Sequence, residues 1–428
     1  MRPSYTTSAL AASVAAIVLA GCGGLHAGSA LPNAPENRAA AIPPSGAYTV
    51  LHTFRGSPRD GSIPNGDLIN VNGTFYGTTQ AGGPHHDGTV FSITPSGAYH
   101  VLYSFGDTRD DGAIPVGRLV ALHGVLYGTT SNGGSCSGSG GTCGTIFSLS
   151  LGGAERVLYV FKGGSDGQWP SAGLTAMNGM LYGITSAGGV RRYCKGYITR
   201  GCGTVFVVTT SGAERIVYRF QGGHRDGSYP YGELLALDGK LFGTTLFGGD
   251  FERCGQGCGT IFDVTPSGLE RVLHRFDRTA QGSQPGPLIQ LNGTFYGTTY
   301  NGGAVCGPYG YTGCGTVFEA TTAGAVKTVY EFKSAQSDGQ NPESIAAANG
   351  VLYGTTFAGG NTCGVSGAYG GVLFAVTTSG KKKPAYPFSC YSDGIVPSPG
   401  LLPFGDSLYG GTTRGGTDGN GTLFKFSI

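Results

Sequence analysis

The hexad Leu126-Tyr127-Gly128-Thr129-Thr130-Ser131 decides the fold, because near-copies of it recur through the chain. The aromatic–Gly pair falls at Tyr76, Tyr127, Tyr182, Phe242, Tyr296, Tyr353 and Tyr409, at intervals of 51, 55, 60, 54, 57 and 56 residues. A period of about 50 with strand-like content is the mark of a β-propeller, one blade per repeat. Seven copies therefore predict an all-β, seven-bladed propeller.

Working outward from the hexad gives the blade. Leu119-Val120-Ala121-Leu122 is a short apolar run, and His123-Gly124 turns the chain into the hexad. A glycine-rich loop leads to Gly144-Thr145-Ile146-Phe147-Ser148-Leu149, and Arg156-Val157-Leu158-Tyr159-Val160-Phe161 ends the unit. Runs rich in β-branched and aromatic residues between Gly and Asn turns predict four antiparallel strands, named a to d. The a–b turns are tight: Asn72-Gly73, His123-Gly124, Asn178-Gly179, Asp238-Gly239, Asn292-Gly293 and Asn349-Gly350. Asn-Gly and Asp-Gly are strong hairpin signals because both central residues accept positive φ. The c–d turns are also short and uniform, as at Thr210-Ser211-Gly212 and Pro266-Ser267-Gly268. The b–c and d–a connections are longer and differ between copies. Antiparallel topology puts these two variable connections on one face of the ring. Binding is expected there, since loops on a rigid scaffold usually carry it.

The chain ends are expected to interlock. Tyr48–Phe54 reads as a d strand with nothing before it, and the last copy stops after a c strand at 421–428. Pairing the two would close the ring and leave only short, protected edges. A closed ring of this kind is expected to be a monomer.

Glycine supplies 81 of 428 residues, against a usual ~7%. Most of it sits at fixed repeat positions, so it reads as turn chemistry. Charged residues are only 12% and the net charge is +2. Nucleic-acid binding needs a basic stripe, and none is present. Lys381-Lys382-Lys383 reads as a solvated edge strand.

Arg2 is the only charge before an apolar run from Ala9 to Ala20, which is too short to span a bilayer. It ends in Leu19-Ala20-Gly21-Cys22, which resembles the lipobox of bacterial lipoproteins. The resemblance implies a signal peptide over 1–21 and an acylated Cys22. Gly23 after the cysteine implies delivery to the outer membrane or cell surface. Residues 22–46 read as the lipidated cysteine and a flexible tether, and 47–428 as the propeller.

Leu126-Tyr-Gly-Thr-Thr130, Gly133-Gly134, Cys143-Gly-Thr-Ile-Phe147, Leu158-Tyr-Val-Phe161 and Asp166-Gly-Gln-Trp-Pro170 recur in register through 47–428. The set resembles the bacterial choice-of-anchor tandem repeat GloVer proteins. The resemblance implies a surface protein on a varied anchor and names no reaction.

Of 11 cysteines, Cys22 belongs to the lipobox. Four pairs fall inside single b–c loops: Cys136/Cys143, Cys194/Cys202, Cys254/Cys258 and Cys306/Cys314. Cys363 and Cys390 lie on the same face of the sixth blade, which makes a fifth pair. Even counts at repeating spacings in an exported chain predict disulfides. Zinc is the rival reading, though no second pair or histidine stands at ligand spacing.

Asp-Gly recurs at Asp60, Asp111, Asp166, Asp226, Asp338 and Asp393, each time with Pro three residues after the Gly, while the fifth copy has Gln281-Gly282. An Asx-type turn is the favoured reading and structural calcium the rival; no other cofactor is expected. The residue before that Pro varies: Ile63, Ile114, Trp169, Tyr229, Gln284, Asn341 and Val396. These seven side chains are expected to ring the mouth of the central channel. Tyr193, Tyr197, Tyr231, Phe247, Phe251, Tyr309, Tyr311 and Tyr369 are placed in loops nearby. Exposed aromatics beside Asn, Asp and Gln suit a sugar, which offers C–H faces and hydroxyls. The bland alternative is that many of them pack over blade edges. Arg191, Arg192, Lys195 and Arg200 form a basic loop that suits an anionic ligand or plain solvation.

The favoured function is a binding or adhesion module for a polysaccharide or a surface protein, not an enzyme. It rests on variable aromatic loops without a convergent set of ionisable groups. The runner-up is a glycan-active hydrolase or lyase with its site at the channel mouth. Paired carboxylates there would favour it.

Overall fold

The computed structural model describes residues 48–108, 110–136, 141–190, 194, 201–303, 313–333, 336–363, 368–383, 386–389 and 392–428. Among the described residues the chain forms seven antiparallel sheets, the blades of a propeller, and a two-stranded sheet of Thr362–Cys363 with Ala368–Tyr369 in the sixth b–c connection. In blade 2, strand a is Gly112–Leu122, b is Val125–Gly133, c is Thr145–Ser150 and d is Glu155–Val160, paired in that order. Among the described residues helix is confined to two 3-10 turns, Gly164–Asp166 and Gln336–Asp338.

The turns obey their sequence. Asn72 and Gly73 have φ of 53° and 82°, and the other five a–b turns repeat that double positive φ. In the c–d turns a threonine organises the loop. Thr209 Oγ1 accepts the Ala213 N–H at 3.0 Å and pairs with Ser211 Oγ at 2.8 Å. Thr94, Thr265 and Thr377 make the same bonds.

The N-terminal strand closes the ring. Tyr48–Thr53 pairs antiparallel with Thr422–Ser427, from Tyr48↔Phe426 to Thr53↔Thr422. Phe54 then enters a seven-membered series. Phe54, Phe105, Phe161, Phe220, Phe276, Phe332 and Phe388 follow the d strands and are all fully buried. Each lies against the c-strand phenylalanine of the next blade: Phe91, Phe147, Phe206, Phe262, Phe318, Phe374 and Phe424. Ring centroids are 5.0–5.7 Å apart, near edge-on. Edge-on pairs contribute about 0.5–1.5 kcal/mol beyond their area. The core is thus a circle of blade-to-blade contacts.

One segment differs from its sequence reading. Asp-Gly-x-x-Pro, expected in the d–a loop, begins strand a: Gly61, Ser62 and Pro64 pair with Gly82, Ala81 and Thr79. The reason is local. The residue before Pro has φ between 54° and 59° in every blade, which interrupts the strand pattern. Pro itself has no N–H to give to the ladder, so the run does not look like a strand. Its N–H–bearing neighbour bonds across to the previous blade instead. Tyr229 donates to Cys202 O at 2.9 Å and Trp169 to Cys143 O at 3.0 Å, and Ile63 donates to Asn420 O at 3.0 Å where the ring closes. The other four interfaces have the same bond, from Ile114, Gln284, Asn341 and Val396.

Lys381–Lys383 also departs from expectation. Lys382 is not a solvated edge residue: its ammonium pairs with Asp338 of the preceding connection.

Candidate functional site

The axis is marked by a contact that skips a blade. Arg118 of blade 2 and Glu233 of blade 4 form an ion pair at 2.9 Å, and the Arg118 N–H also donates to Glu233 Oε1 at 2.9 Å. Only strands beside the axis can meet across an intervening blade, so strand a lines the channel. Blade 3 makes room by having Gly173 at this level: a Cβ there would stand 2.7 Å from Glu233 Oε1.

Asp67 of blade 1, Glu343 of blade 6, Tyr231 of blade 4 and Tyr300 of blade 5 complete an ionisable set that communicates across the channel. Burial pushes the Asp67 carboxyl well up, and the Glu233 charge adds to it while Arg118 opposes. Burial alone pushes Glu343 up to about 8. Burial also raises both tyrosines, with Glu343 reinforcing the shift. The channel therefore holds a carboxylate clamped by a cation, beside two carboxyls whose titration burial raises.

This corrects the expectation of no convergent ionisable groups. Each of these charged residues occurs in one copy at its position, so a search for recurring residues passes over it. The usable signal was register: Pro64-Asn-Gly-Asp67, Pro115-Val-Gly-Arg118 and Pro230-Tyr-Gly-Glu233 put a charge three residues after the axial proline.

The seven residues that precede the axial prolines are all half-buried. Several are tied to a neighbour. Trp169 Nε1 donates to Thr142 O at 3.3 Å. Asn341 Nδ2 donates to Tyr300 O at 2.9 Å, and Gln284 Oε1 accepts from Asn301 Nδ2 at 2.6 Å. Tyr229 lies 6.0 Å from Phe247 between ring centroids, and Ser186 Oγ donates to Trp169 O at 3.1 Å. Tyr300 faces Phe357 at 6.5 Å. The aromatic and amide side chains thus gather on blades 3 to 6, while Ile63, Ile114 and Val396 occupy the rest of the ring. Holding non-glycine residues at positive φ costs about 1–3 kcal/mol each and persists only where surroundings impose it. Here the imposing contact is the blade-to-blade hydrogen bond.

Tyr231 and Phe247, expected in loops, belong to strands Gly227–Leu237 and Lys240–Gly248. Phe251 is in a loop beside His224, at 4.8 Å, while Tyr369, also expected in a loop, belongs to the short strand Ala368–Tyr369 and is exposed. Tyr193, Tyr197, Tyr309, Tyr311, Arg191, Arg192, Lys195 and Arg200 lie outside the described residues, as do Cys22, Cys306 and Cys390.

The Asp-Gly carboxylates are engaged by hydrogen-bond donors. Asp226 accepts from Tyr218 Oη at 2.9 Å, Gln221 N at 2.7 Å and Gly227 N at 2.6 Å. Asp60, Asp111, Asp166, Asp338 and Asp393 are bound in similar ways. Where the fifth copy has Gln281, the partner is His274, at 3.0 Å. These contacts are those of a turn. Among the described residues no three His, Cys, Asp or Glu side chains converge as a metal site.

Disulfides join Cys136–Cys143, Cys194–Cys202 and Cys254–Cys258. Cys314 and Cys363 are also disulfide-bonded. The bonds brace b–c loops, between strands b and c of their blades.

The Gloeobacter/Verrucomicrobia repeat family matches residues 40–196 and 137–366. The chain belongs to this family. No curated protein matches it by sequence. Several solved propellers are similar in fold at low identity. A putative gluconolactonase is 9% identical with a TM-score of 0.41, covering 90% of this chain and 93% of its own. A gluconolactonase from Xanthomonas campestris is 13% identical with a TM-score of 0.37, covering 73% and 94%. A luciferin-regenerating enzyme is 10% identical with a TM-score of 0.41, covering 86% and 92%.

Proposed function

We propose that this repeat protein is a surface binding module that takes a carbohydrate at the mouth of its axial channel. The observation that carries the reading is the one-sided mouth. Tyr229, Tyr231 and Tyr300 neighbour one another and Glu343, Asn341 bonds to Tyr300, and Trp169 and Gln284 hold the equivalent position on blades 3 and 5. Aromatic faces suit the C–H face of a pyranose, and amides and carboxyls suit its hydroxyls. The mouth lies on the face with variable connections, which the disulfides stiffen. Stiffening lowers the ordering cost of binding.

A glycan array probed with the protein tests this. Selective retention of a class of glycans is the expected result. No retention of any glycan, with the ring folded, would overturn it.

A second reading has one observation in its favour. Burial pushes the Glu343 carboxyl up to about 8, and Tyr231 lies within reach of both Glu343 and Asp67. A protonated acid beside further carboxylates is the equipment of glycosidic cleavage. Shortened products from a retained oligosaccharide would support that reading, and intact recovery would support binding alone.

The same proposal has the protein held on the outer membrane or cell surface through acylated Cys22, with 23–46 as tether. Several acyl chains hold a protein firmly, since each buried CH₂ contributes roughly 0.8 kcal/mol. Cys22→Ser should move the protein from the membrane fraction to the soluble one. Unchanged fractionation would remove the anchor from the account.

A further inference from the structure

The outer strands of adjacent blades meet through a repeated polar triad. In each, a d-strand Tyr or His and the Asp of the following connection, or Gln281 in the fifth copy, face the first part of the next blade's d strand. Three interfaces put a glutamate there. Glu155 faces Tyr103 and Asp111, Glu214 faces Tyr159 and Asp166, and Glu270 faces Tyr218 and Asp226. In all three the tyrosine hydroxyl donates to the aspartate, at 2.8–2.9 Å. In all three the glutamate Oε1 is buried and has no hydrogen-bond partner.

The other four interfaces replace the glutamate and avoid the conflict. Tyr99 donates to Asp60 at 2.8 Å and stacks on His52 at 3.7 Å. Val326 stands where His274 pairs with Gln281. Lys382 pairs with Asp338. Tyr48 stacks on Tyr386 at 4.7 Å and donates to Asp393 O at 2.6 Å. Only the 1–2, 2–3 and 3–4 interfaces set acid against acid.

The chemistry of the triad has two states. A protonated glutamate can donate to the tyrosine oxygen, and the tyrosine donates on to the aspartate. Every polar group then has a role. An ionised glutamate and the aspartate both accept, and one tyrosine proton must serve two carboxylates. We propose that Glu155, Glu214 and Glu270 form a proton-dependent clasp that fastens blades 1 to 4 when protonated and loosens them when ionised.

The electrostatic setting agrees. Burial, reinforced by the neighbouring aspartate, pushes Glu155 and Glu214 up to about 7 and Glu270 up to about 8. The groups that face them are few. Glu155 meets Asp111, with Tyr103 opposing. Glu214 meets Asp166, with Tyr159, Lys162 and Arg219 opposing. Glu270 meets Asp226 and Asp263, with Tyr218 and Arg275 opposing. The folded ring holds protons that an unfolded chain releases near the ordinary value of 4.5. The stabilisation is therefore full below that value and is lost as pH rises through 7 to 8. Glu343 and Asp67 shift in the same direction, so single-protein pH curves do not isolate the clasp.

The test compares thermal unfolding of the full chain with E155Q/E214Q/E270Q from pH 5.5 to 9. Glutamine mimics the protonated state, with a donor for the tyrosine and no charge. The wild-type Tm should fall through pH 7 to 8, and the variant should lose most of that fall and melt above wild type at pH 9. Parallel curves would overturn the clasp. Should the triple variant not fold, carbon-13 titration of glutamate side chains in the wild type decides. Three midpoints between 7 and 8, assigned by single Gln variants, support the clasp, and midpoints near 4.5 refute it.

Discussion

Phe54→Ala is expected to destabilise the ring by about 3–5 kcal/mol, the cost of emptying a fully buried phenylalanine site. Phe54 comes from the segment that precedes the first blade, yet it is buried as completely as its six counterparts and packs on Phe91 at 5.7 Å. Phe220→Ala, deep in the chain, is the natural comparison. If the N-terminal strand is a structural member of the last blade, both variants lose similar stability in chemical denaturation. A small loss at Phe54 with a full loss at Phe220 would mean that residues 48–54 do not close the ring in solution.

Gly203→Ala should cost about 3 kcal/mol or more, combining backbone strain and overpacking. Gly203 immediately precedes strand c of blade 3, Thr204–Val208, at φ 94°, and a Cβ there would meet Pro230 Cδ and Thr185 O, each at 2.5 Å. That proline belongs to the next blade, so the methyl group would wedge the interface at which Tyr229 bonds to Cys202 O. Gly239→Ala is the control. It also has positive φ, 74°, but nothing lies within 4 Å of the place its methyl group would take. It should cost only the backbone term, about 1–2 kcal/mol. Equal losses in the two variants, measured by denaturation, would show that blade-to-blade contact does not explain the recurring Gly-Thr step.

Much of this architecture is readable in the order of the amino acids. The recurring Tyr-Gly pair sets the blade count, and Asn-Gly and Asp-Gly set the hairpins. An unpaired strand at each end announces the closure. These signals survive because they are local or repeated. Asp-Gly-x-x-Pro is misread as loop because its positive-φ residue and proline break the strand alternation. Its pairing becomes visible only when the neighbouring blade supplies the acceptor. The channel charges Asp67, Arg118, Glu233 and Glu343 are missed for the opposite reason: a repeat hides what is not repeated. Glu155, Glu214 and Glu270 recur in plain sight, yet a glutamate at the start of an outer strand reads as solvated. Their burial depends on a tyrosine in the outer strand of the preceding repeat.

The central claim is that the mouth of the channel binds. The most direct test measures affinity for the best-retained glycan in Trp169→Ala/Tyr229→Ala and in Ser211→Ala/Ser267→Ala, which alters the uniform c–d turns on the opposite face. The mouth variant should keep its fold and lose about 2 kcal/mol, roughly 30-fold in Kd, while the turn variant binds as wild type. Unchanged affinity in the mouth variant, or loss only in the turn variant, would contradict the account.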